Sequence, residues 1–406
     1  MLESRRLPLW AGRTAALLGI VLVAFTLRQA VAAVSPIIGD IRADFPVSNL
    51  DVGLLGTLPP LLFAASGFTA PRVARRLGLD GGIVLALALI TVGHLVRAVA
   101  PGVAMLLVGS ILAFAGTGVG NVLLPSVVRR YFPDRVALLT AVYACIVGVS
   151  TAVPAALAAP IAQYAGWRTS LAVWAVSSAA ALVPWLIVLA QQRQLRRTDA
   201  GLVSPAPTEV VTRLWRSRAA LSITALFSSS AICTYAAFAW LPEILQDVAG
   251  STPTEAGVLL AVTGVISVPG ALIAPLLVPR LRNVGLLIAA GVLSFALGYL
   301  GLLLAPAPLT LLWVLLIGCG SILFPVCLVL INVRTRTHGG TVALSGFAQG
   351  TAYALGALGP LLVGLLHDAS GGWTLPLLFL LAVTLAAGIP AVTLGRPTFV
   401  EDELSR

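Results

Sequence analysis

The sequence contains no lysine, and its 25 basic residues are all arginine. Charge of either sign is scarce, at 10% of residues against 59% hydrophobic. A soluble domain carries about 25% charged residues, so this chain has too little charge to coat a water-exposed surface of its size. Its solvent must be largely lipid. Cysteine and histidine are equally sparse. Cys145, Cys233, Cys319 and Cys327 all fall inside apolar runs, with neither C-x-x-C spacing nor a nearby His. A metal centre is therefore excluded and packing roles remain. No Ser/His/Asp arrangement, nucleotide loop or sizeable polar domain is present, so neither enzymatic activity nor a cofactor is expected. Gly116, Gly118 and Gly120 are spaced like a phosphate loop, yet no strand precedes them and the run is apolar. Close helix packing explains them.

The formal net charge of +10 could point to nucleic acid, but the placement of the arginines argues otherwise. About 20 mainly apolar residues span a bilayer. Twelve such runs are readable, at 13–34, 50–71, 82–100, 103–128, 136–160 and 169–190, then 219–240, 256–278, 284–304, 309–331, 341–366 and 373–395. Arginines lie before the first run and after every even-numbered one. Only Arg42, Arg97 and Arg168 are expected on the other side, which leaves Arg28 as the one arginine expected at mid-span. The positive-inside rule then places both termini in the cytoplasm, with some attraction of the basic side to anionic lipid. Arg5, Arg6 and Ala30-Val31-Ala32 superficially resemble a cleaved signal, but cleavage would remove a helix that the internal repeat requires.

That repeat has a nearly constant offset of 206 residues. Ser35-Pro36 matches Leu241-Pro242, Val136-Ala137-Leu138 matches Val342-Ala343-Leu344, Pro154 matches Pro360, and Gly166-Trp167 matches Gly372-Trp373. The expectation is an all-α membrane protein with twelve transmembrane helices in two pseudo-symmetric six-helix bundles, at 1–190 and 218–406. The polar segment 191–217 would be a cytoplasmic linker. A parallel duplication of this kind is one transporter architecture, with its substrate site near the midplane.

At these landmarks the chain resembles the major facilitator superfamily over essentially its full length. Leu27-Arg28, Asn121-Val-Leu-Leu-Pro125, Arg129-Arg-Tyr-Phe-Pro-Asp-Arg135, Ala239-Trp-Leu-Pro-Glu-Ile-Leu245 and Leu344-Ser-Gly-Phe-Ala-Gln349 look like its cyanate-permease and nitroimidazole-transporter branch. The resemblance implies a small or anionic solute. Some features depart from the superfamily pattern. Pro71 stands where the loop motif of Gly67, Arg72, Arg75 and Arg76 would place an Asp. Val153-Pro154-Ala155-Ala156 replaces the Gly-rich run of drug–proton antiporters. The second and eighth runs lack the arginines of nitrate porters.

Arg28 lies about 22 Å along a helix from Arg13 and about 18 Å from Asp40 at 1.5 Å per residue, near the bilayer middle. A central arginine costs about 2.5–3.5 kcal/mol on insertion scales and usually faces a cavity or a partner. The 15 acidic residues all fall in loops, termini or span ends, so the substrate is expected to supply the balancing charge to this planar donor. Snorkelling to water, or binding backbone carbonyls of broken helices, is the alternative. Asn121, Tyr143, Tyr235, Gln349 and Tyr353 stand at comparable depth and complete the candidate substrate site, Gln349 being the repeat mate of Tyr143. Interhelical hydrogen bonding competes with that role. Trp240 reads as an interfacial anchor.

His94 is a candidate proton-coupling group against a packing role, and mid-run prolines are expected to kink the helices. The partners expected are therefore a small-molecule substrate, anionic in the first reading, the lipid bilayer and a coupling proton, with no nucleic acid. The competing reading is efflux of a neutral or weakly acidic toxic compound such as a nitroheterocycle. A membrane sensor would need a signalling domain. A monomer in a bacterial-type inner membrane is expected.

Overall fold

In hydrocarbon a backbone N–H or C=O finds no water, so a spanning segment must close its hydrogen bonds within itself. The computed structural model describes residues 13–195 and 214–404, and these form helices joined by short turns, with no strand among the described residues. Most of the linker expected at 191–217 lies outside the described residues, as do Arg5, Arg6, Arg196, Arg197, Arg213 and Arg406.

Among the described residues, eleven helices are long and apolar enough to cross a membrane. One of them, Asn49–Ala98, has 50 residues, about 75 Å at 1.5 Å per residue and twice what a bilayer needs. It is two spans meeting at Gly78, whose φ of 76° and ψ of 169° interrupt the helix. Only glycine adopts that conformation without strain. The expected loop between spans 2 and 3 is thus reduced to a single hinge residue, and the spans number twelve in two halves.

The remaining spans of the first half are span 1 (Thr14–Thr26 and Gln29–Ala32), span 4 (Val103–Tyr131), span 5 (Val136–Ala165) and span 6 (Trp167–Leu195). The second half holds span 7 (Arg218–Ala249), span 8 (Pro253–Leu277), span 9 (Val284–Leu304), span 10 (Thr310–Gly320 and Leu323–Val333), span 11 (His338–Gly356 and Leu358–Ser370) and span 12 (Thr374–Ala386 and Gly388–Leu394). By internal packing the chain resolves into two units, one of Met1–Pro46 with Ala65–Leu202 and one of Val47–Ala64 with Val203–Arg406.

The first unit has an apolar centre containing Ile20, Leu27, Leu123, Leu124 and Trp185. Its arginine-rich end is tied by polar contacts. Arg13 donates from Nη1 to the Tyr131 carbonyl at 2.9 Å and to Asp134 at 2.8 Å, and its guanidinium lies 4.8 Å from the centre of the Phe132 ring. Hydrogen bonding from Arg13 holds the Asp134 carboxyl below the usual carboxylate range. Such a carboxylate contributes its stability at neutral pH and loses it only as pH falls through that lowered value. Asp80, wholly buried just past the Gly78 hinge, accepts from the Tyr131 hydroxyl at 2.9 Å and from Arg130 at 3.2 Å. At the other end Asp44 accepts from the Trp167 indole at 2.9 Å and pairs with Arg168. One sequence expectation is corrected here. Arg97 does not lie in a loop; it forms the last turn of span 3 and is wholly buried.

The second unit repeats the corner chemistry: Trp373, mate of Trp167, donates to Asp247 at 2.8 Å. Residues 400–404 form a short helix that closes its arginine-rich end. Glu403 accepts from Ser217 Oγ at 2.7 Å and from the Ala219 amide at 3.0 Å, at the start of span 7. Glu401 accepts from the amides of Arg336 and Thr337 at 3.0 and 3.2 Å. Burial would raise the Glu401 pKa, but the backbone N–H donors outweigh it and the carboxyl sits below its ordinary value.

Within the first unit, Gly93 and Gly120 test two kinds of helix approach. A Cβ on Gly93 would lie 2.5 Å from the Ala113 amide nitrogen, whereas one on Gly120 would meet only the flexible end of Leu27 at 2.9 Å. Gly93→Ala is expected to cost about 1–3 kcal/mol, as overpacking against unyielding atoms does, and Gly120→Ala well under that. Melting temperatures of the two purified variants would check the order, and equal losses would refute it.

Candidate substrate site

Four spans are broken near their middles, and the causes differ. A proline in a helix lacks an N–H and its ring crowds the carbonyl four residues before it. Pro325, Pro360 and Pro390 stand four residues after Ser321, Gly356 and Ala386, at the interruptions of spans 10, 11 and 12. Span 1 is interrupted at Leu27-Arg28, and positions 31 and 32 are Val and Ala, not Pro. There the Leu27 amide reaches back only to Ala24, at 3.4 Å, and the Arg28 amide leaves the helix ladder to donate to Ser150 Oγ of span 5 at 2.9 Å. Tertiary contact, not proline, holds this break open.

Proline does not always break a span. Pro125, Pro154 and Pro269, all expected to kink their helices, lie inside spans that run on as single helices. Pro125 and Pro154 still withhold an N–H from the carbonyls of Asn121 and Ser150. The repeat mate of Pro154, Pro360, stands four residues after Gly356, a poorer helix former than Ser150, and there the helix does part.

The candidate residues fall into two groups, one in each unit. In the first unit Arg28 is half-buried at the break of span 1. Half-buried Asn121 follows Gly120, which meets Leu27, so span 4 presents Asn121 at the level of the break. Tyr143 lies two turns before Ser150 on span 5, on the same helix face, half-buried against the apolar centre. In the second unit Tyr235 is buried and Tyr353 half-buried, with ring centres 6.4 Å apart. Gln349, one turn before Tyr353, donates to Ser345 Oγ at 2.6 Å. Phe227 stands 5.9 Å from Tyr353 and 5.0 Å from Phe324, extending the aromatic wall.

His94 is wholly buried on span 3, beside the backbone of Leu171 and one turn before Arg97. Trp240 is likewise wholly buried, donating to the Pro360 carbonyl at 2.8 Å with its ring 5.7 Å from Trp373. It is a brace for the broken span 11 and not the interfacial anchor its sequence position implied. Sequence reading missed Ser150, Phe227 and Phe324. Ser150 had a signal, its place four residues before Pro154; the two phenylalanines had none, being apolar residues in apolar runs.

A sequence model of the Major Facilitator Superfamily matches residues 20–357. The 2-nitroimidazole transporter of Escherichia coli (strain K12) is 32% identical over 380 residues, covering 93% of this chain and 94% of that protein. The cyanate transport protein CynX of the same organism is 26% identical over 362 residues, covering 88% and 91%. Among solved structures, a POT family transporter in complex with 5-aminolevulinic acid superimposes with a TM-score of 0.75 at 13% identity, covering 94% of this chain and 95% of that one.

Removing the Ser150 hydroxyl leaves the Arg28 amide without its acceptor. Ser150→Ala is expected to cost about 1–3 kcal/mol as a buried donor loses its partner, and Ser150→Thr to restore most of it. Thermal unfolding of the two variants would check this; a silent Ser150→Ala would mean that the break does not depend on span 5.

Proposed function

This chain belongs to the Major Facilitator Superfamily, and from that premise we propose that it carries a small anionic solute across the cell membrane by alternating access of its two halves. The protein is a multi-pass membrane transporter and not an enzyme. The observation that carries the finer reading is the break of span 1 at Arg28, held by Ser150 without any proline. Discontinuous helices mark the midplane binding sites of many transporters. A break that coincides with the one arginine at mid-span offers a planar, permanently charged donor where lipid offers nothing.

Each remaining candidate has a stated task. Arg28 binds the charge of the solute. Asn121 and Tyr143 supply further hydrogen bonds in the first unit, and Gln349 supplies them in the second. Tyr235 and Tyr353 wall the solute with aromatic faces, Phe227 behind them. The name of the cyanate transport protein, a relative over most of the chain, is consistent with a small anion. We place the protein as a monomer in the cell membrane with both termini in the cytoplasm, following the arginine distribution. We assign His94 to the buried cluster described below and not to proton coupling, because its ring is wholly enclosed.

The aromatic wall and the relationship to the 2-nitroimidazole transporter favour a second reading, export of a neutral or weakly acidic nitroheterocycle. Arg28 would then donate hydrogen bonds without neutralising charge. Both readings are separable in proteoliposomes. For an anion, Arg28→Gln should lower uptake at least tenfold, about 1.4 kcal/mol or more, and a carboxylate should compete where its neutral amide does not. Equal competition by acid and amide would favour the nitroheterocycle. Saturable anion uptake that survives Arg28→Gln would overturn the anion site.

A further inference from the structure

The first unit buries a second polar cluster that the Arg28 reading does not use. Arg97 ends span 3, wholly enclosed, its stem crossing span 4 so closely that a Cβ on Gly109 would lie 2.7 Å from Arg97 Cγ. The guanidinium stands 5.7 Å from the centre of the Phe114 ring and donates from Nη1 to the Ala30 carbonyl at 3.0 Å. Its Nε and Nη2 have no hydrogen-bond partner.

The neighbours repeat the pattern. Gln29, next to Ala30 and wholly buried, accepts from Ser177 Oγ at 2.6 Å, while its Nε2 has no partner. Ser177 lies one turn past Trp174, whose carbonyl at 2.8 Å shares the same hydroxyl hydrogen, and the buried Trp174 indole N–H has no partner. His94 lies against the backbone of Leu171, one turn before Trp174. Spans 1, 3 and 6 thus converge on orphaned polar atoms, nearly all of them donors.

A buried unsatisfied donor costs about 1–3 kcal/mol, and a buried charge without a counter-charge costs more. Arg97 pairs with no carboxylate among the described residues. The atoms lack acceptors and negative charge, and a small inorganic anion supplies both. A water molecule would accept two hydrogen bonds but would bring two more donors of its own. We propose that Arg97, Gln29 and Trp174, with His94 at the edge, form a binding site for one resident monatomic anion of the halide class. The ion neutralises Arg97 and holds the outer ends of spans 1, 3 and 6 together. It is held and not carried: Gln29 is enclosed, whereas its neighbour Arg28 remains half-exposed at the break.

The test is thermal unfolding of the purified full chain in sodium chloride against sodium gluconate at equal ionic strength. Wild type should gain several degrees in a saturable way, as a ligand of the folded state does. Trp174→Phe should shift the chloride midpoint about tenfold, the loss of about one good hydrogen bond, and Arg97→Met should abolish the response. Bromide should substitute and give an anomalous scattering peak beside Arg97 in crystals. Arg28→Gln should retain the full chloride response, which separates this site from solute binding. The proposal is overturned if wild type melts alike in chloride and gluconate, or if the response survives Trp174→Phe unchanged. It is equally overturned if Arg28→Gln removes the response. Should Arg97→Met fail to fold, Trp174→Phe and the bromide peak decide.

Discussion

Everything in this protein follows from a solvent that cannot hydrogen-bond. In lipid each backbone N–H and C=O must be answered within the chain, so apolar runs become helices, and any departure from a helix must be answered by something else. The departures are therefore the informative places. Gly78 turns one 50-residue helix into two spans with a single residue in the left-handed region. Prolines part spans 10, 11 and 12, and at the break of span 11 the Thr57 hydroxyl answers the Ala357 carbonyl at 2.7 Å. The break at Arg28 is answered by a serine on another span.

The same constraint explains why polar side chains are so few and so specifically placed. Thr26, Thr117, Ser110 and Thr224 return their hydroxyls to carbonyls three or four residues earlier, within their own helices. What remains is a short set whose bonds run between spans or end in orphaned atoms. That set includes the Arg28 break, the aromatic wall of the second unit and the enclosed Arg97 cluster. Charge is concentrated at the ends, where Arg13, Asp80, Asp134, Glu401 and Glu403 bind helix termini to one another. At those ends the helix dipoles and unmatched N–H groups favour carboxylates.

The duplicated halves share their scaffold and differ in their chemistry. Trp167 with Asp44 and Trp373 with Asp247 are the same corner built twice. Pro154 and Pro360 occupy the same repeat position, yet only the second parts its helix, because Gly356 replaces Ser150. Arg28 corresponds to Thr234, and span 7 runs unbroken through that position. In the repeat pattern a polar break in one half corresponds to a continuous aromatic-bearing helix in the other, so the halves differ in chemistry on a shared scaffold.

Reading the sequence was enough for the class of protein and its spans, because hydropathy, the arginine bias and the 206-residue repeat are properties of the chain and need no neighbours. It was enough, too, to single out Arg28, since a charge in an apolar run is conspicuous by its cost. It misplaced Arg97, which stands near a span end where a loop was equally compatible with the pattern, and it mistook buried Trp240 for an anchor. It could not find Ser150 or the orphaned donors of Gln29 and Trp174. A hydrogen bond between spans leaves no periodicity in the sequence, and whether a polar atom is answered depends on residues more than a hundred positions away. The chain itself determined that it lives in lipid as two six-span halves. Only the tertiary structure decided where its helices break, which polar groups those breaks engage, and which buried donors still lack a partner.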